Sequence, residues 1–302
     1  MNEIAPTLSS AVELSTPIVL AAMGGLINLR GGIVNIGLEG KMLAGAFVAV
    51  LVSWKTGDPW LATATAAGAG GLVALPFSLL ITRLKANEII VGLGFNVLVA
   101  GLIGYLLPVV FGVYGALNPP DLAGLPKLRI PGLDDVPVLG TVLSDKTLLT
   151  YLAIASVPAV AWTLNRTTWG IRLRAAGENP DAARAAGIRP LAWRDASTVV
   201  AGVFAGLAGA QLSLGIVSLF TIGMTAGRGF IALAAFYFGA GRPWPTAAAA
   251  FLFGLVEAIQ VRLPGSQLPP QVVDMLPYLA VIVALTALGI ARTRRERRAV
   301  LT

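Results

Sequence analysis

Long apolar stretches alternate with short polar ones along the whole chain. A helix needs about 20 predominantly apolar residues to cross a bilayer. The pattern predicts about nine spanning segments, at 8–28, 33–53, 60–82, 88–112, 147–164, 197–218, 228–240, 244–262 and 272–290. The seventh is too short for a clean crossing, so we expect it to be tilted, broken or re-entrant. The sequence therefore predicts an all-α polytopic membrane protein in which residues 1–302 form a single transmembrane domain.

The composition agrees with this pattern and narrows the chemistry. Of the 302 residues, 56% are hydrophobic and 12% are charged, whereas soluble domains carry about 25% charged residues. The chain contains no cysteine and no histidine. Disulfides, thiol nucleophiles, histidine bases and zinc sites built on these residues are therefore excluded. We expect no catalytic residues and no metal site, and a membrane enzyme has almost no support.

The positions of the positive charges predict the orientation in the membrane, because cytoplasmic loops carry an excess of Lys and Arg. The last segment is followed by five arginines: Arg292, Arg294, Arg295, Arg297 and Arg298. This tail predicts a cytoplasmic C-terminus and, across nine segments, an N-terminus outside the cell membrane. The loops then predicted to be cytoplasmic contain six arginines between 165 and 196, together with Arg30, Arg83, Lys85 and Arg242. The net charge of +7 is therefore a topology signal, and we expect no nucleic-acid partner.

Two loops are long enough to carry a function. Residues 113–146 are predicted to lie outside, either as a connector or as a docking surface for an external partner. Residues 165–196 are predicted to lie in the cytoplasm. In this second loop Asn179 has the position of an N-cap, Pro180 opens a helix and Gly187 can close it. A helix of about two turns is marginal alone, so we expect it to dock on a partner or on its own membrane domain.

Two parts of the chain resemble each other. Gly57-Asp58-Pro59-Trp60 returns 184 residues later as Gly241-Arg242-Pro243-Trp244, and Gly70 then matches Gly254. Residues 40–47 similarly match 229–236. The copies are five segments apart, so they would cross the membrane in opposite directions. The pattern favours an inverted internal repeat, a construction found in transporters, although abundant Ala and Gly also produce short matches by composition.

The sequence at the start of the second segment disfavours a regular helix. Residues 31–40 contain four glycines, with Glu39 and Lys41 at the end of the stretch. A broken helix whose free backbone lines a cavity would accommodate them. The alternative is that Glu39 and Lys41 lie at the cytoplasmic interface and extend their charges into water.

Four stretches of sequence carry a family resemblance. They are GIVNIGLEGKMLAGAF from Gly32, NEIIVGLGFN from Asn87, GENPDAARAAGI from Gly177 and GRGFIALAA from Gly227. The chain resembles, from about residue 15 to 290, the permeases of ATP-binding-cassette (ABC) importers of the branched-chain amino acid and ribose type. It is most similar to the shorter permease subunit of nucleoside importers that work with basic-membrane-protein binding lipoproteins.

The resemblance implies partners and a coupling element. The permease domain would work in the lipid bilayer with an ABC ATPase, a second homologous permease and an extracytoplasmic substrate-binding protein. The cytoplasmic loop would contact the ATPase through Gly177, Glu178, Asn179, Pro180, Ala183 and Gly187. ATP and Mg would be bound by that ATPase, so this chain itself would hold no cofactor.

Polar and aromatic residues inside the apolar segments are candidates for the substrate path. These are Asn35, Glu39, Asn96, Gln211 and Phe236, each of which could instead serve helix–helix packing. Arg228 and Glu257 could be interface or gate residues. The resulting hypothesis is an importer of nucleosides or purines. The alternatives are a permease for simple sugars or branched-chain amino acids, and an ion-coupled secondary transporter that uses Glu39 or Glu257.

Overall fold

The computed structural model describes residues 4–119, 121–129 and 139–262, together with positions 275, 276, 279, 282, 283 and 286. Its helices are α1 Ile4–Arg30, α2 Leu38–Thr56, α3 Pro59–Thr82, α4 Glu88–Phe111, α5 Leu139–Leu143, α6 Leu148–Arg166, α7 Thr168–Glu178, α8 Pro180–Ala185, α9 Pro190–Ala210, α10 Arg228–Phe238 and α11 Pro243–Arg262. A π-helical turn, Gln211–Ile216, continues α9. Four two-residue strands complete the elements: β1 Ala116–Leu117, β2 Lys127–Leu128, β3 Lys146–Thr147 and β4 Phe220–Thr221.

The helices follow the apolar segments predicted from the sequence. Within the described residues, six helices are long and apolar enough to cross a membrane, namely α1, α3, α4, α6, α9 with its π-helical turn, and α11. α2 is 19 residues long but carries Glu39, Lys41 and Lys55. The seventh predicted segment is a helix of only 11 residues, α10. The ninth, 272–290, lies outside the described residues apart from isolated positions, and so does the arginine-rich tail.

Close backbone contacts hold the bundle together. α1 packs against α11 and α9, while α9 also packs against α3. A Cβ atom on Gly70 of α3 would overlap the carbonyl oxygen of Gly202 on α9, and one on Gly254 of α11 would overlap Ser15 on α1. Side chains are thus excluded where these helices cross, which is how small residues let membrane helices approach closely.

Polar contacts occur at two levels along α1, which has 27 residues and is about 40 Å long. About a third of the way along it, the Lys146 ammonium lies 2.9 Å from the Glu13 carboxylate. At its end, the Arg194 guanidinium donates to the Gly31 carbonyl at 3.2 Å. Close to Arg194, Asp195 pairs with Arg83 at 2.8 Å. These two groups of charged contacts are separated along α1 by about 25 Å.

The described parts of the loop 113–146 are anchored to the bundle. β1 pairs with β4, and β2 pairs with β3, both antiparallel. The Ser53 hydroxyl of α2 donates to the Ala123 carbonyl at 2.6 Å. The Leu125 N–H donates to the Leu214 carbonyl at 2.9 Å. These hydrogen bonds fix this loop over the ends of α2 and α9.

Candidate functional site

A break in the chain separates α1 from α2. Residues 31–37 are not helical, and Gly32 has a φ of +80°, a conformation that favours glycine. Their backbone groups find partners elsewhere, since the Val34 N–H donates to the Glu88 carboxylate at 2.6 Å. The Asn96 amide donates to the Ile36 carbonyl at 3.0 Å. The start of the predicted second segment is thus not helical up to residue 37, as the glycines of residues 31–40 indicated, and α4 supplies the side chains that support it.

Glu39 joins this break to α10. Its two carboxylate oxygens accept hydrogen bonds from the Gly227 N–H at 2.8 Å and the Gly229 N–H at 2.7 Å. The first N–H groups of a helix have no partner within the helix, and its N-terminus attracts negative charge. The carboxylate therefore caps α10 from the first turn of α2, so that two helix N-termini meet at one side chain.

Lys41 is fully buried, with a relative exposure of 0%. Its ammonium donates to the Asn35 side-chain oxygen at 2.7 Å and lies 3.5 Å from the centre of the Phe77 ring. Such stacking on an aromatic face offsets part of the cost of burying a cation. The alternative that Lys41 extends to water at an interface is therefore wrong. Lys41 instead holds the broken segment through Asn35.

The other path candidates have different surroundings. Asn96 belongs to the break, because its side-chain oxygen accepts from the Gly40 N–H at 2.9 Å. Gln211 is buried at the start of the π-helical turn and accepts from the Thr147 hydroxyl at 2.8 Å. Phe236 is fully buried on α10, where a Cβ on Gly25 would overlap its ring. The structure thus brings together Asn35, Glu39 and Asn96, but not Gln211 or Phe236.

The aromatic residues exposed on α10 are Phe230 and Tyr237, each 41% exposed. They are seven residues apart and therefore share one helix face. Together with Glu88, they were not among the residues predicted from the sequence. The spacing of Phe230 and Tyr237 can be seen in the sequence. However, α10 is apolar around most of its circumference, so the sequence does not indicate which of its aromatic residues are exposed.

Arg228 and Glu257 form an ion pair with an N–O distance of 3.2 Å, and both side chains are largely buried. The Arg228 guanidinium also donates to the Met224 carbonyl at 3.0 Å. The pair connects the start of α10 to α11. A buried pair costs desolvation of both charges, which offsets much of their attraction, so the pair marks where α10 contacts α11 more than it adds to stability.

The loop 165–196 has the local structure that its sequence predicts. The Asn179 side chain accepts from the Ala182 N–H at 3.0 Å, and Pro180 is the first residue of α8. Gly187 follows α8 with a φ of +79° and donates to the Arg184 carbonyl at 3.0 Å. Glu178 and Asn179 are exposed, whereas Ala183 is buried. A short, well-capped helix with an exposed acidic start is thus presented at this end of the bundle.

A cavity of about 370 Å³ lies between this loop and α10. Its lining comprises Leu29, Arg30, Gly177, Glu178, Phe236, Tyr237, Ala240 and Gly241. The Arg30 guanidinium donates to the Gly241 carbonyl at 2.7 Å, which connects the end of α1 to the turn after α10. The cavity therefore adjoins both the loop and the short helix that Glu39 caps.

The fold and the site define a multi-pass helical membrane protein. In it, Glu39 beside the break between α1 and α2 binds the N-terminus of the short helix α10. The chain belongs to the family described as the permease component of the branched-chain amino acid transport system, whose model matches residues 7–285.

Three relatives illustrate the range of this family. The chain is 34% identical to the nucleoside ABC transporter permease protein NupC of Lactococcus lactis, over 94% of this chain and 92% of NupC. It is 34% identical to the guanosine ABC transporter permease protein NupQ of Bacillus subtilis, over 90% and 88% of the two chains. It is 32% identical to the putative glucose ABC transporter permease protein TsgC13 of Haloferax volcanii, over 99% and 96%.

Proposed function

We propose that this chain is the permease subunit of an ABC importer for nucleosides or purines. The observation that carries the proposal is the 34% identity to NupC and to NupQ across at least 90% of this chain. Both relatives are named for nucleoside or guanosine transport. The similarity to TsgC13 makes a simple sugar the second candidate substrate, because that relative is named as a glucose permease.

The partners follow from the same family. An ABC ATPase would bind ATP and Mg and hydrolyse the ATP, so that this subunit is not itself an enzyme. It would contact the ATPase through α8 and the residues around it, namely Gly177, Glu178, Asn179, Pro180, Ala183 and Gly187. A second homologous permease and an external binding protein would complete the importer. The exposed Glu178 and the cap at Asn179 support a docking role for this loop.

The substrate path would run beside the break between α1 and α2. Asn35, Glu39 and Asn96 lie there, and irregular backbone at membrane depth is tolerated where it is buried or lines a cavity. For Gln211 and Phe236, burial favours a packing role over contact with substrate. Nucleosides suit a path with exposed aromatic faces, because the bases can stack on such rings.

The orientation and the repeat belong to the same proposal. About nine crossings, with the N-terminus outside and the C-terminus in the cytoplasm, would put loop 113–146 outside and loop 165–196 on the ATPase side. In an inverted repeat, α3 would correspond to α11 and α1 to α9. The matched glycines Gly70 and Gly254 make matched close contacts, the first with α9 and the second with α1, which supports this correspondence.

Single cysteines test the orientation, since the chain contains no cysteine of its own. Asp58 and Arg242 hold matching positions in the two copies, and both are exposed. In intact cells an impermeant maleimide should label Asp58→Cys, whereas Arg242→Cys should be labelled only after permeabilisation. Labelling of both from the same side would contradict the inverted arrangement.

The energy source and the substrate need a reconstituted importer. Vanadate traps ATPases, so it should stop uptake of radiolabelled guanosine, whereas a protonophore at clamped ATP should not. The reverse result would favour an ion-coupled transporter. Binding of nucleosides, ribose, glucose and amino acids to the partner binding protein then identifies the substrate. Tight binding of a sugar with no nucleoside binding would overturn the nucleoside assignment.

A further inference from the structure

We call the loop 165–196 the coupling loop. Gly177 in this loop faces the membrane domain, which distinguishes it from the exposed residues Glu178 and Asn179 that follow it. A Cβ atom on Gly177 would overlap the Arg30 carbonyl oxygen and would lie 2.8 Å from the Gly32 nitrogen. In the reverse direction, a Cβ on Gly32 would lie 2.9 Å from the Gly177 Cα atom. Two glycine backbones are therefore packed directly against each other, so a displacement of one displaces the other.

The contact lies at the start of the broken segment, residues 31–37, and the residues on either side of this segment hold both ends of α10. At its N-terminus, α10 is bound by the Glu39 carboxylate through Gly227 and Gly229. Just beyond its C-terminus, the Gly241 carbonyl accepts from Arg30 at 2.7 Å. Glu39 and Arg30 flank residues 31–38. A shift of this segment therefore acts on α10 from both ends.

α10 is a short helix bounded by positions whose backbone can rotate. It has 11 residues, and glycines with positive φ stand on either side of it, Gly227 at +75° and Gly241 at +68°. Such residues are suited to absorbing backbone rotation at the ends of a helix. Its exposed face carries Phe230 and Tyr237, and Tyr237 lines the cavity beside the coupling loop.

We propose that α10 is the gate of the transport path, and that the coupling loop sets its position through the contact between Gly177 and Gly32. Gly177 and Gly32 are thus positioning residues that link the ATPase to the gate. This inference rests on the proposed function, because it takes the loop 165–196 as the element that follows the ATPase. It does not depend on which substrate is carried.

A single reporter cysteine makes the movement of α10 measurable. Ala240 is exposed, lines the cavity and lies two residues beyond the end of α10, and Cys is a small replacement for Ala. The Ala240→Cys chain is assembled in nanodiscs with its partner permease and an ATPase, both freed of cysteine. We expect the rate of maleimide labelling to change about tenfold on trapping with ATP and vanadate, within the usual range of coupling between sites.

Gly177→Ala tests the link. Gly177 lies in the last turn of α7, where Ala is the better helix former, so the substitution does not weaken α7, and nucleotide trapping reports whether the contact with the ATPase is intact. We expect this variant to trap nucleotide in the ATPase with ATP and vanadate. The rate of maleimide labelling at Ala240→Cys should no longer change when nucleotide is trapped. The matched control is Gly101→Ala in α4, where no described heavy atom lies within 4 Å of the added carbon. It should respond like the unsubstituted protein.

A second variant covers the case in which Gly177→Ala does not assemble. Glu39→Gln removes one of the two acceptors at the start of α10 and lies away from the coupling loop. We expect it to trap nucleotide normally and to lose most of the labelling response. A full response in Gly177→Ala or in Glu39→Gln would overturn the proposal. If the complex that carries only Ala240→Cys traps no nucleotide at all, the proposed ATP-driven function is wrong. The gate assignment is then wrong as well, because it rests on that function.

Discussion

The carboxylate of Glu39 accepts a hydrogen bond at 2.7 Å from the backbone N–H of Gly229, 190 residues further along the chain. The second oxygen accepts from Gly227 at 2.8 Å. One side chain thereby fixes the start of α10 against the start of α2. Because each bond pairs a charge with an amide at a helix N-terminus, this contact is stronger than a neutral hydrogen bond.

We expect substitution of Glu39 to lower transport in proportion to the acceptors lost. Hydrogen bonds to charged groups are worth about 1.5–3 kcal/mol each, so Glu39→Gln should reduce uptake about tenfold and Glu39→Ala should reduce it further. Initial rates of uptake in proteoliposomes provide the measurement. Asp121→Asn, at an exposed position of the loop 113–146, is the control and should transport normally. Normal transport by Glu39→Ala would refute the role given to this carboxylate.

The buried pair of Lys41 and Asn35 should behave as a unit in stability. Lys41→Met leaves the Asn35 oxygen without its partner, and Asn35→Leu leaves the ammonium without its acceptor. Lys41→Met should lower the free energy of unfolding by about 1–3 kcal/mol. Asn35→Leu should lower it by about 3–5 kcal/mol, because it leaves a buried charge without its acceptor. The double variant should cost less than the sum, with a coupling energy of about 1 kcal/mol.

The two single variants, the double variant and the unsubstituted protein form a double-mutant cycle. Their free energies of unfolding are measured by denaturant unfolding in detergent micelles. Lys55→Met is the matched control, because Lys55 lies in the same helix and is exposed. It should change stability little. Strict additivity of the two single substitutions would show that the hydrogen bond between Lys41 and Asn35 contributes nothing.

The crossing of α3 and α9 should be sensitive to a single methyl group. Gly70→Ala directs the new carbon at the Gly202 carbonyl oxygen, and overpacking of this kind costs about 1–3 kcal/mol. Two residues earlier, Gly68 has no described heavy atom within 4 Å of an added Cβ, so Gly68→Ala should be neutral or slightly stabilising. Thermal unfolding of the two variants gives the comparison. Equal midpoints would mean that α3 and α9 do not approach as closely as described.

The cap of α8 should affect assembly with the ATPase more than folding of the membrane domain. Loss of an N-cap costs about 1 kcal/mol of helix stability. This is a large part of the free energy that holds a helix of only six residues together. Asn179→Ala should therefore weaken retention of the ATPase on the purified permease. Asn179→Ser keeps an acceptor at the cap and should restore retention. Failure of Ser to do so would mean that the Asn179 amide contacts the partner directly.

The role of the residues at the start of α8 can be tested by measuring transport. The double substitution Glu178→Ala with Pro180→Ala removes an exposed charge and the residue that opens α8. We expect uptake to fall, while capture of substrate by the binding protein is unchanged because that step precedes the permease. Unchanged uptake would rule out a coupling role for this part of the loop.

Local features were predictable wherever the signal lay within a few residues. The break before α2 followed from the density of glycine in residues 31–40, and the cap at Asn179 followed from Asn-Pro-Asp. The short length of α10 was likewise visible in its apolar segment. Each depends on backbone preferences that neighbouring residues set, so no tertiary information was needed.

The partners of the polar residues depended on distant parts of the chain. Nothing near Glu39 indicated that its carboxylate would cap α10, and nothing near Lys41 indicated burial over Phe77. Phe236 and Tyr237 are adjacent, yet the first is fully buried and the second is 41% exposed. Sequence alone therefore selected a plausible aromatic residue without distinguishing the buried one from the exposed one.

The sequence by itself determined which segments are apolar enough for a membrane, where one of them is broken and how the loop 165–196 forms its short helix. Only the tertiary structure decided which side chains meet at the break and which glycines bring helices into contact. The reason is physical. In a soluble helix a polar stripe marks the outside, but α3 and α4 are apolar on nearly every face. Where lipid is as apolar as the protein core, the facing of a helix is fixed by close packing and hydrogen bonds between distant residues.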